Sequence, residues 1–362
     1  MFRTTILVIL VGLLTSNIVL ASNIIEVLPL TDQILLVHFD DGYVRHHERG
    51  EERSNEWVIG TPLNVMVASS PTPYSLTSTT DVFYTNPQSP VSVGRKSKGT
   101  DFTWLCEGWS FQNFFGVEGC NNTSEDHAKE HWIYLRLPSA METGGSYTLN
   151  TANLSEGSNT FTFTFNENEL RSEAIHVNNL GYTPDASAKY AYVYHWMGDL
   201  GGLDLSDYEG NDFHLLDTET GNIVYTDQLT FRKAATTVET LQNNPNETPA
   251  QNFLGADVYE CDFSDFATEG SYRLVVSGIG ASFPFEIACD AYRPAYRSTM
   301  RGLFMNRSGI ELTAEHTDWP RPAPHHPQLT PGFAGKLIYT TTTQVGRSSA
   351  IPSGSITSHW VV

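Results

Sequence analysis

The stretch TFTFTF, Thr160 to Phe165, sets three phenylalanines at every second position with three threonines between them. A chain in strand conformation points successive side chains to opposite faces, so Phe161, Phe163 and Phe165 share one face and the threonines the other. That is a strand with one apolar and one polar side, as the layers of a two-sheet sandwich require. The same alternation runs outward in both directions. QILLVHFD, LNVMVAS, WIYLRLP and SYTLNT are short apolar-rich runs separated by Gly, Pro, Asn and Ser, and the β pattern extends from Asn23 to about Ile287.

An internal echo marks where units end. GSYTL (Gly145 to Leu149) is followed by FTF, and GSYRL (Gly270 to Leu274) is followed by FPF. Each reads as a turn glycine, a strand, a loop and a final strand with two phenylalanines on one face. This predicts two β-sandwich domains, over 22–170 and 171–289. After Cys289 the period changes. Tyr292, Tyr296, Met300, Leu303 and Phe304 form one helical stripe, with Asp290 to cap its start, Pro294 in its first turn and Gly309 to end it. The span 329–362 is rich in Ser and Gly with neither period, and reads as a disordered tail.

The first 21 residues read as a signal peptide: Arg3, the apolar run ILVILVGLL, then small residues before a cut after Ala21. No later segment is apolar enough to span a bilayer, so the expectation is a secreted or periplasmic chain with no membrane association after cleavage. With 41 acidic against 21 basic residues and a net charge of −20, the surface repels phosphate backbones, and nucleic acid is excluded as a partner. The only basic cluster, GRKSKG (Gly94 to Gly99), reads as a solvated loop.

Export permits disulfides. Cys106–Cys120 and Cys261–Cys289 is the preferred pairing of the four cysteines, although four cysteines allow three pairings. Asn121, Asn122, Asn153, Asn246 and Asn306 head Asn-x-Ser/Thr triplets. No nucleophile elbow, phosphate loop, dinucleotide fingerprint or HExxH helix occurs. Asp199, Asp204, Asp207 and Asp212 crowd one acidic stretch and supply oxygen ligands of the calcium type, although their spacing misses the EF-hand pattern and reads as a solvated loop. The cysteine-bounded stretch from Phe102 to Cys120 is rich in aromatics. Trp104 and Trp109 there, and Trp319 further on, are candidates to stack on sugar faces, and rings filling a core are the alternative.

The segments HVNNLGYTPDASAKYAYV, FHLLDTETGNIVYTDQL, ECDFSDFATEGSYRLVVSGIGASFPFEI and YRPAYRSTMRGLFMNRSGIEL together resemble glycoside hydrolase family 9. More narrowly, they resemble members with an immunoglobulin-like module ahead of the catalytic domain, from about Ile175 to His326. Residues 23 to 170 are similar to the further N-terminal module of some bacterial members. The resemblance implies an inverting endoglucanase acting on β-1,4-glucans, with the Tyr292 to Arg307 helix opening a barrel of paired helices. Residues 290–328 then form the start of that barrel. Such an enzyme needs an acid and a base carboxylate about 6.5–9.5 Å apart. The family's Asp-Ala-Gly-Asp stretch does not occur here, and no Asp or Glu follows Asp318, so no catalytic residue carries over.

The resemblance further implies that many members carry a Cys at the Ser308 position and a Cys-His pair near His325 and His326, side chains that bind a structural zinc in some of them. Here Ser308 replaces the Cys, so His316, His325 and His326 read as loop histidines and no metal site is expected. The expectation is a mainly β protein: two immunoglobulin-like sandwiches and the first helix of a truncated helical barrel. In function it is the non-catalytic N-terminal part of an exported glycoside hydrolase, whose partner is a β-glucan polysaccharide in the intact enzyme. The alternatives are a free-standing carbohydrate-binding or adhesion protein, and an inactive structural remnant.

Overall fold

The computed structural model describes residues 22–46, 57–101, 105–110, 119–124, 128–239, 251–307 and 309–324, with backbone only for 105–110 and 119–124. The signal segment 1–21 and the tail 329–362 lie outside these residues.

Four antiparallel sheets carry most of the chain. Sheet 1 orders Asn23–Thr31, Ile34–Asp40, Ala128–Arg136 and Ser92–Asp101. Sheet 2 orders Thr160–Thr164, Ser146–Asn150 and Ser75–Ser78. Sheet 3 orders Ile175–His176, Tyr190–Val193, Val258–Asp262 and Thr230–Lys233. Sheet 4 orders Ile223–Gln228, Asp212–Asp217, Gly270–Val276 and Gly280–Ala281, and Phe285–Ile287 also pairs with Gly270–Val276. Two hairpins stand apart, Tyr43–Arg45 with Trp57–Ile59 and Leu105–Ser110 with Gly119–Ser124.

The alternation of each strand explains the layering. Leu35, Val37 and Phe39 join Ile133 and Leu135 in one core with Leu76, Tyr147 and Leu149 of sheet 2. The intervening Ile34, Leu36 and Tyr134 point the other way, into a second core with Ile175, Ala191, Val193 and Cys261 of sheet 3 and Phe213, Leu215 and Leu274 of sheet 4. Sheet 1 is therefore covered on both faces, which is why ILLVHFD reads as a nearly continuous apolar run rather than a clean alternation. The second core crosses the 170/171 boundary. Accordingly, the chain divides at Cys289/Asp290 into two compact units, and both sheet pairs belong to the first.

The echo is structural. Tyr147 lies opposite Phe163 in sheet 2, and Tyr272 lies opposite Phe285 in sheet 4. Each hydroxyl bonds a few residues upstream: Tyr147 Oη accepts from Glu142 N (2.6 Å), while Tyr272 Oη donates to the carbonyls of Thr268 and Glu269 (both 3.2 Å). This is the tyrosine-corner arrangement of immunoglobulin-like sandwiches. The preceding glycine is required by contact, since a Cβ on Gly145 would lie 2.7 Å from the Tyr147 ring and one on Gly270 2.5 Å from Tyr272 Oη.

Three expectations are corrected. The basic run Gly94 to Gly99 is no loop but part of the edge strand Ser92–Asp101. The Cys261–Cys289 disulfide is not formed. Cys261 faces the core from mid-strand, whereas Cys289 emerges at the surface two residues beyond inward-facing Ile287, and its N–H donates to Glu269 Oε1 (3.0 Å). The Asp290 side chain makes no cap hydrogen bond. The helix Arg293–Met305 starts from Tyr292 with Pro294 in its first turn, and Asp290 contributes its carbonyl to Arg293 N (2.8 Å).

The second unit contains that helix and a short bridge between Leu312 and Arg321. Arg321 donates to the carbonyls of Met305 (2.6 Å) and Arg307 (3.2 Å), closing the helix C-terminus. None of the helix residues is buried, so the stripe Tyr292, Tyr296, Met300, Leu303 and Phe304 is on the surface. Among the described residues no helix is long and apolar enough to cross a membrane.

Candidate functional site

The seam between sheet 1 and sheet 3 concentrates polar and aromatic chemistry. Alternation along KEHWIYLR puts Trp132 and Tyr134 on the sheet 1 face that meets the second core, and Lys96 joins them from the neighbouring edge strand, opposite Trp132. Lys96 Nζ lies 4.7 Å from the centroid of the Trp132 ring and 5.8 Å from that of Tyr134. His38 stacks on Trp132 at 4.4 Å and pairs with Glu130 at 2.7 Å. Trp132 is therefore enclosed by a cation and an imidazole and offers no open face to a sugar.

Beside this row opens a cleft of about 290 Å³ lined by Arg171, Glu173, Ile175, His176, Val177, Asn179, His195 and Phe283. Tyr134 Oη and His195 Nε2 are 2.9 Å apart across the seam. Burial holds His195 neutral, with Lys96 and His176 adding repulsion, and its pKa falls to about 3. Burial likewise lowers His176, whose ring stacks on Tyr194 at 4.1 Å. Lys96 is lowered by burial, opposed by the Glu173 charge. Among the described residues Glu173 is the one carboxylate lining the cleft, and it pairs with Arg171 at 3.5 Å. No second carboxylate among the described residues lines the cleft opposite it, so this wall does not present the carboxylate pair of an inverting hydrolase.

Hydrogen bonds lock the seam on either side. Asp199 Oδ1 accepts from Arg95 N (2.6 Å), satisfying an outward donor of the edge strand. The chain comes this close because of glycine: a Cβ on Gly198 (φ +67°) would lie 2.1 Å from Arg95 O, and one on Gly94 2.2 Å from Leu200 Cγ. Tyr208 Oη donates to Asp32 Oδ1 (2.6 Å), and Ser172 Oγ donates to Leu30 O (2.6 Å).

The residues singled out by sequence are scattered. Trp104 lies outside the described residues, as do the side chains of Trp109, Cys106 and Cys120; in backbone register Trp109 faces Cys120, and Cys106 faces Thr123. Trp319 is 78% exposed in the second unit. Of the calcium candidates, Asp199 caps the edge strand, Asp204 accepts from Ser206 N (3.0 Å) and Oγ (2.7 Å), and Asp207 lines a small pocket with Arg136. Among the described residues no three of His, Cys, Asp and Glu are placed to hold a metal, because these carboxylates serve separate turns and edges. Of the seam residues, Trp132, Tyr134, His176 and His195 belong to no chemical motif of the sequence, and Lys96 stands out there only as part of the basic run Gly94 to Gly99. Their one signal is that WIYLR places Trp and Tyr on the face opposite its isoleucine and leucine.

Residues 171–281 match the family described as the cellulase N-terminal ig-like domain. That span holds sheets 3 and 4 apart from Phe285–Ile287. Endoglucanase D of Acetivibrio thermocellus is 28% identical over 150 residues, which are 41% of this chain and 19% of that protein. Among solved structures, a family 9 glycoside hydrolase of Bacteroides ovatus is 22% identical over 42% of this chain and 22% of its own, with a TM-score of 0.30. A metagenome-derived family 9 endoglucanase is 21% identical over 42% of this chain and 24% of its own, with a TM-score of 0.32. The chain thus spans about a fifth of the length of the curated relative.

Proposed function

We propose that this chain, whose residues 171–281 are a cellulase-type N-terminal immunoglobulin-like domain, is the non-catalytic N-terminal part of an exported endoglucanase. In the intact enzyme a separate helical domain cleaves β-1,4-glucans by an inverting acid and base mechanism, and the two sheet pairs brace it. The observation that carries this reading is the family match falling on sheets 3 and 4, whose core sheet 1 completes. A brace must be stiff, and a shared core locked by the Asp199, Tyr208 and Ser172 bonds supplies stiffness.

The expected outcome is that this chain releases no reducing sugar from carboxymethyl cellulose. Release above a heat-treated control from a pure preparation overturns the reading. A second reading, a free-standing carbohydrate-binding protein, is favoured by exposed Trp319. Retention on insoluble cellulose that is lost in Trp319→Ala supports that one instead.

A further inference from the structure

The edge strand of sheet 1 carries a hydrogen-bonded relay on the face away from the seam. Ser97 lies opposite His131 in the sheet register. Its Oγ is 2.7 Å from His131 Nδ1, and His131 Nε2 is 2.9 Å from Asp41 Oδ2. His131 and Asp41 are buried while Ser97 is exposed. Asp41 is fixed in place, since its Oδ1 accepts from Leu63 N (2.7 Å). A carboxylate only accepts, so the imidazole proton sits on Nε2 and the Nδ1 lone pair faces the serine hydroxyl. Arg95 Nη1 donates to the same Oγ (2.8 Å). Arg95 Nε is shut off from solvent and has no hydrogen-bond partner among the described residues.

We propose that Ser97 is the nucleophile of an acyl-transfer site, with His131 as general base and Asp41 as the positioning carboxylate, acting on short-chain carboxylic esters. The constellation of serine, histidine and aspartate is defined by geometry and roles rather than by fold or chain order. Here the two imidazole nitrogens exchange places relative to the usual orientation, which leaves the proton relay intact. Ser97 Oγ attacks the ester carbonyl carbon as its proton passes to His131 Nδ1. The tetrahedral intermediate expels the alkoxide, which leaves as the alcohol with that proton. Water, deprotonated by His131, then cleaves the acyl-serine to the carboxylic acid and restores the hydroxyl. Arg95, whose Nη1 lies 2.8 Å from Ser97 Oγ, supplies the positive charge beside the developing oxyanion.

A relay that only plugged the end of the sheet pair would satisfy His131 equally well, yet leave Ser97 as inert as any surface serine. The test uses the full chain with p-nitrophenyl acetate and a fluorophosphonate probe. The expected result is a covalent adduct at Ser97, and hydrolysis lowered at least about 100-fold in Ser97→Ala, the scale of general-base contributions. Asp41→Asn is expected to lower it comparably. An asparagine turned to keep its oxygen on Leu63 N–H presents an amide donor to Nε2, which drives the imidazole proton onto Nδ1. Circular dichroism identifies variants that keep the fold, and Ser97→Ala, a change at an exposed position, is the decisive one. Equal hydrolysis by Ser97→Ala prepared in the same way, or labelling elsewhere than Ser97, overturns the proposal. Neither result bears on the endoglucanase reading, which rests on a different segment.

Discussion

Tyr147 and Tyr272 occupy equivalent corners but are not equally costly to change. Tyr272 Oη meets only backbone carbonyls near the surface, so Tyr272→Phe is expected to cost about 1 kcal/mol. Tyr147 Oη also donates to Asp81 Oδ2 (2.6 Å), a buried carboxylate, so Tyr147→Phe removes a charge-assisted partner and is expected to cost about 2–3 kcal/mol. Urea unfolding of the two variants checks the order; a larger loss in Tyr272→Phe contradicts it. His195 makes a second residue-scale prediction. Its folded pKa of about 3 lies below the unfolded 6.5, so between those values the unfolded chain binds the extra proton and stability rises with pH. Acidifying from pH 7 to pH 5 should remove on the order of 2 kcal/mol through this group. His176 and His214, also lowered by burial, act in the same direction. In His195→Gln the loss over that interval should shrink by about the same amount, and an unchanged pH slope would show that His195 does not carry it.

At the scale of elements, strands were legible because period-two patterning follows from backbone geometry. TFTFT became the strand Thr160–Thr164, and the stripe after Cys289 became the helix Arg293–Met305. Reading Gly94 to Gly99 as a loop misjudged two glycines. Gly94 stands in the strand because of close approach, beneath Leu200, while Asp199 covers the strand's edge. Helical periodicity also reveals an apolar stripe without saying what covers it. Met300 and Phe304 are 47% and 36% exposed, so the double change Met300→Glu with Phe304→Glu should leave the melting temperature within about 2 °C. Binding of an apolar dye should fall. A clear drop in melting temperature would mean that these side chains are covered in solution.

At the scale of the molecule, the shared core predicts that the two sheet pairs unfold together. Leu36 belongs to sheet 1 yet packs in the core of sheets 3 and 4. Leu36→Ala should cost about 2–5 kcal/mol and shift the transition of both pairs. Calorimetry on 22–289 is expected to show one transition, falling as a whole in the variant. Two resolved transitions, only one of them displaced, would separate the pairs.

The β character, the places of most strands, the repeated order of glycine, strand, loop and strand, and the change to helix after Cys289 are all legible in the amino-acid order, because each is set by local backbone geometry and side-chain period. That order also carried the resemblance of the stretch around 175–287, since turn glycines and inward aromatics recur in order along the chain. That sheet 1 is buried on both faces, that Cys261 is buried while Cys289 is exposed, and that Asp41, Ser97 and His131 meet are visible in the folded chain alone. Those facts depend on which strands become neighbours, and pairing between residues dozens of positions apart leaves no periodic trace in the chain.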